Sequence, residues 1–171
     1  MYTELEQHLL SLIEHSMIAY IVLWAVYIIK FKRIDSYSIT LTVFVLFSSL
    51  MTVLTPYIYS YAKEGHGVFY QAVWHGFFIA AHIIEIKAIT IFHDSFSLKI
   101  KRLTVFIVSL LGVQAFLHLA RLFEKSMFES SYTAFIYTEG IKFVNLLFVF
   151  VCVLCIILGV KRNYQLDKKC V

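Results

Sequence analysis

The chain has 171 residues, of which 60% are hydrophobic and 15% charged, with a mean hydropathy of +0.79. Those proportions exceed what a water-soluble domain shows and point to a membrane protein. The formal net charge of +4 requires no nucleic-acid partner, because the basic residues gather in short connections where membrane topology accounts for them.

The apolar residues fall into five blocks, each near the roughly 20 residues a helix needs to cross about 30 Å of hydrocarbon. Backbone polar groups in lipid need internal partners, so each block should be a helix. The expected fold is therefore all-α, a polytopic transmembrane helix bundle of about five spans forming a single transmembrane domain over residues 1–171.

The first span is expected over about 9–31, behind a T-x-x-E capping box at Thr3 and Glu6. It lacks a basic n-region and a small-residue cleavage site, so it reads as a retained span and not as a signal peptide. It carries His15. The second, over 38–61, can be capped by Asp35 or Ser36 and kinked by Pro56. Its apolar part has serine and threonine but no ionisable group, which suggests a structural position.

The third span, over 68–93, contains YQAVWHGFFIAAHIIEIKAITIFHD and carries His75, His82, Glu85, Lys87 and His93. At about 100° per residue, His75, His82 and His93 form one stripe, flanked by Glu85 on one side and Lys87 on the other. Lys87 can snorkel toward water. Glu85 is too short for that, so it should face a partner or a water cavity, or carry a proton.

The fourth span, over 103–123 with Ser95 or Ser97 as its cap, carries Gln114 and His118. The fifth, over 135–160, carries Lys142 and Asn145. It also holds Cys152 and Cys155 as C-V-L-C, best read as small apolar packing residues because no second Cys/His pair accompanies them.

Lys30, Lys32, Arg33, Lys99, Lys101, Arg102, Lys161, Arg162, Lys168 and Lys169 fall on one side of this arrangement, against Lys63, Arg121 and Lys125 on the other. Ten against three places the N-terminus outside and the C-terminus in the cytoplasm. Counted from the outer surface, His15, His75, His118 and Lys142 share one depth, Gln114 and Asn145 lie deeper, and His82 with Glu85 deeper still. Convergence of these side chains, with Lys87 in the inner layer beside His82 and Glu85, would make a polar track.

The leading reading is proton or metal-ion handling, with His15, His75 and His118 as ligands of a divalent metal ion or as proton carriers and Glu85 with His82 as the inner acceptor. A second is electron transfer by a b-type haem held between His75 and His118, with Arg121 or Lys142 on its propionates and space at Gly76, Gly112 and Ala115. A third is a regulatory or assembly subunit of a larger membrane complex or homo-oligomer. No nucleophile-and-base constellation points to conventional catalysis. The bland reading is that the histidines only bond neighbouring helices, at about 0.6 kcal/mol each. It weighs most for His8, His66 and His93 at the interfaces. The lipid bilayer of a plasma or inner membrane is the expected surrounding.

Overall fold

The computed structural model describes residues 4–64, 68–127 and 132–167, with side chains described at 16–62, 69–127, 132–162 and 164. It is all-helical, with α1 (Glu4–Phe31), α2 (Ser36–Glu64), α3 (Val68–Ser95), α4 (Arg102–Met127) and α5 (Ala134–Asp167), and no strand among the described residues. Four segments, Ser36–Ala62, Phe69–Ser95, Arg102–Met127 and Ala134–Arg162, are long and apolar enough to cross a membrane. The apolar part of α1 within the described side chains, Ser16–Phe31, is shorter.

Consecutive helices pack as antiparallel neighbours, and α5 returns against α1, so the five close into a ring in chain order with α2 touching α4 across it. Gly159 permits the closure, since a Cβ there would stand 2.7 Å from the Phe31 ring. The end of the ring at which α1 begins is called the amino end, and the end at which α5 finishes the carboxyl end.

What each helix buries identifies its solvent. In α3 the buried residues are His75, His82, Glu85, Ile89 and His93, while Phe69, Ile83, Ile84, Ile91 and Phe92 are exposed. A helix with its ionisable groups inside and its large apolar groups outside suits lipid and would be unstable in water. The core below Glu85 is apolar, with Leu41, Phe44, Ile89, Ile107, Phe148 and Val151 almost fully buried. Cys152 and Cys155 are buried there too, as packing residues.

The carboxyl end is fastened by two polar networks. Asp35 caps α2: its carboxylate accepts from the Ser38 backbone N–H at 3.0 Å, and Ser38 Oγ accepts from the Asp35 N–H at 2.7 Å. The same carboxylate accepts from Tyr27 Oη at 2.9 Å and from Arg162 Nη1 at 3.2 Å, with Arg33 Nε at 3.3 Å. In the second network the Ile89 carbonyl accepts from His93 Nδ1 at 2.7 Å, so the neutral ring can accept the Ser36 hydroxyl at Nε2, 2.9 Å away. Ser36 continues to Thr104 at 3.1 Å, and Thr104 to Thr40 at 2.9 Å.

Neither Ser95 nor Ser97 caps α4. Ser97, at φ 52°, ends α3 instead: its N–H bonds the Asp94 carbonyl, and the Leu98 N–H bonds that of His93. Lys101 opens α4, its carbonyl accepting from the Val105 N–H and its ammonium lying 4.5 Å from the centre of the Tyr37 ring. Burial, then repulsion from Arg162, holds that ammonium below its ordinary range. The capping box at Thr3 and Glu6 lies outside the described side chains.

Candidate functional site

The antiparallel pairing of α3 with α4 sets the early residues of one beside the late residues of the other. His75 and His118 meet there with Nδ1 atoms 3.2 Å apart, both rings buried. One nitrogen must donate and the other accept, so a single proton lies between them. Tyr137 on α5 brings its hydroxyl to 3.3 Å from His118 Nδ1 and its ring edge-on to both imidazoles, at 5.4 and 5.1 Å. Phe78 stacks on His118 at 4.7 Å and 17°.

Deeper in the ring, Gln114 Nε2 donates to Asn145 Oδ1 at 2.8 Å, and Tyr20 Oη donates to the Asn145 carbonyl at 2.9 Å. These residues border a cavity of about 100 Å³ walled by all five helices, with His118 and His82 both on its lining. That volume suits about three waters at the roughly 30 Å³ each occupies in the liquid. The two imidazole centres are 6.3 Å apart across it.

His82 and Glu85, one turn apart on α3, follow. Nδ1 of His82 stands 3.6 Å from Glu85 Oε2, too far for a hydrogen bond, and the Glu85 side chain is fully buried. His82 Nδ1 and both Glu85 oxygens have no hydrogen-bond partner among the described residues. A neutral imidazole beside a carboxylate would leave one uncompensated buried charge, which one additional proton on the pair removes. Buried orphaned polar groups of this kind are rare where the only task is to hold a fold.

On the other side of the histidine pair, a recess of about 410 Å³ opens at the amino end, lined by His75, Tyr59, Trp74 and Tyr137 together with Arg121 and Lys125. His75 thus lines the recess and His118 the inner cavity, and the Nδ1 contact joins the two rings. Arg121 is braced by Glu124, which also accepts from the Thr133 N–H at 3.0 Å and the Thr133 hydroxyl where α5 begins.

His75, His118, His82, Glu85, Gln114 and Asn145 are therefore gathered along one axis. Lys87 and Lys142 are not. Lys87 is exposed on the apolar face of α3, and Lys142 pairs with Glu139 at 2.7 Å. The side chain of His15 lies outside the described residues. No group of three or more His, Cys, Asp and Glu stands close enough to hold a metal ion among the described residues. Open space exists at Gly76 and Gly112, where a Cβ would meet no atom within 4 Å, yet a haem needs its two axial imidazoles on opposite sides of a flat macrocycle. Here they are in direct contact.

Depth counting restricted to ionisable groups passes over Tyr137, which sits at nearly the level of His118 when counted from the same end. It also underrates α2, whose Ser48, Thr52 and Thr55 line the inner cavity while Thr52 and Thr55 donate to carbonyls of their own helix. Comparison with known proteins finds no matching family model, no matching curated protein and no matching solved structure. The functional reading consequently rests on the geometry of these side chains alone.

Proposed function

We propose that this chain is a multi-pass protein of a plasma or inner membrane that handles protons along its intramembrane histidine and glutamate side chains. The proposed topology has five spans, the N-terminus outside and the C-terminus cytoplasmic, on the strength of the ten-to-three asymmetry of basic residues between the alternate connections of the sequence. Protons then enter from outside. The observation that carries the reading is the series of recess, His75, His118, cavity, His82 and Glu85, which ends on buried polar atoms with no hydrogen-bond partner among the described residues.

Histidine suits the task because it can take a proton on one ring nitrogen while releasing one from the other. A proton arriving on His75 makes it an imidazolium. The proton in the Nδ1 to Nδ1 bond then moves to His118, His75 returns to neutral, and His118 gives up a proton to water in the cavity. His82 and Glu85 receive it there. Below them the apolar layer of Leu41, Ile89, Ile107 and Val151 seals the path, so onward release requires the helices to part.

The test is proton flux into proteoliposomes at an imposed potential. Wild type should exceed empty vesicles, and Glu85→Gln, which keeps shape but cannot exchange a proton, should fall to their level while remaining folded. A silent wild type overturns the proposal, and a Soret band or stoichiometric metal in the purified protein would favour the ligand-binding readings instead.

A further inference from the structure

The recess at the amino end is larger than a proton entrance needs to be. Its volume of about 410 Å³ lies within the range of small-molecule sites. Its composition is also selective. Arg121 and Lys125 supply two positive charges to the lining, and no acidic residue lines it among the described residues. Glu124 is turned into the α4–α5 connection, where Thr133 and Arg121 occupy its oxygens. A guanidinium has five N–H donors, so Arg121 retains donors beyond those that Glu124 takes. The walls are aromatic: Tyr59 and Trp74 meet edge to face at 5.7 Å, with Tyr137 beside them.

From these features we infer that the recess binds a small organic carboxylate with a flat, conjugated body. The carboxylate lies toward Arg121 and Lys125, and the flat body lies among the three aromatic rings. An inorganic anion would leave those rings unused, and a neutral aromatic would leave the Lys125 ammonium, and the Arg121 donors that Glu124 does not take, without an anionic counterpart. His75 forms part of the same wall. A bound carboxylate there can exchange one proton with it: the imidazolium N–H breaks, the carboxyl O–H forms, and a neutral imidazole and a neutral acid remain. This last step rests on the proton reading above; the binding itself does not. The charged groups facing His75 are Arg121 and Lys125 from α4, and its titratable neighbours are His118 from α4, Tyr137 from α5 and Tyr59 from α2.

Benzoate is a suitable probe, titrated by calorimetry into the purified full-length chain in detergent, beside benzamide and inorganic phosphate. Benzoate should bind at least about tenfold more tightly than either, the difference expected when a buried charge finds its counterpart. Lys125→Gln should weaken it about tenfold, Lys125→Arg should restore it, and Glu85→Gln should leave it unchanged. Equal binding of benzamide, or benzoate affinity indifferent to Lys125→Gln, overturns the inference. Because binding is read without proton movement, a chain that conducts protons but ignores benzoate sinks only the carboxylate site. Benzoate binding by a chain that moves no protons sinks only the relay.

Discussion

His82 and His93 lie on the same face of α3, about three turns apart, and both are buried, yet their surroundings are opposite. His93 has a partner for each nitrogen, in Ser36 and the Ile89 carbonyl, and belongs to a network in which each hydroxyl is engaged. His82 borders a cavity, and its Nδ1 and the nearby Glu85 carboxyl have no hydrogen bond among the described residues. A saturated network has one arrangement and resists change, so the carboxyl end reads as a fastening. An unsaturated one beside water-sized space can accept and release protons, so the amino end reads as the working part. The same residue type therefore has two meanings, and satisfaction of its hydrogen bonds separates them.

The largest expected effect is on stability at the fastening. Asp35→Ala removes the α2 cap and leaves Tyr27, Arg33 and Arg162 without their shared acceptor, and should cost about 3 kcal/mol in thermal or denaturant unfolding, while flux per folded molecule is retained. Next is His93→Phe, which takes one partner from the Ser36 hydroxyl while Thr104 remains, and should cost about 1 kcal/mol with flux unchanged. Loss of flux in either variant without unfolding would erase the distinction between the two ends.

The working part should respond the other way. Glu85→Leu replaces an unpartnered carboxyl by an apolar side chain of similar size, so stability should stay within about 0.5 kcal/mol of wild type or rise, while flux is lost. A loss of several kcal/mol would mean that Glu85 holds the fold. The smallest effect is expected for Tyr137→Phe, whose hydroxyl makes a long contact with His118 beside a hydrogen bond with Trp74; flux should fall about two- to threefold, in line with a membrane hydrogen bond of about 0.6 kcal/mol. An unchanged rate would remove Tyr137 from the path.

Much of this plan is legible in the residues themselves. Block length gives the five helices, the spacing of His75, His82 and His93 gives the buried stripe of α3, and depth from the surface brings His118 to His75 and Gln114 to Asn145. Depth fixes height along a helix but not direction around it. Lys142 has the height of His75, but it is two residues, about 200°, from the buried Val144 and so points to its own neighbour Glu139. Lys87 stands in the same relation to the buried Glu85 and faces outward. The cavity could not be read at all, because it exists only where five helices fail to fill the space between them, and that depends on packing distances that no single helix encodes.

The most direct test sets His82→Gln beside His93→Gln in proteoliposomes, with proton flux at a fixed imposed potential normalised to the amount of folded protein. The account predicts that His82→Gln falls to the level of empty vesicles, while His93→Gln conducts like wild type and only unfolds more easily. Equal flux in the two variants, or loss confined to His93→Gln, would contradict it.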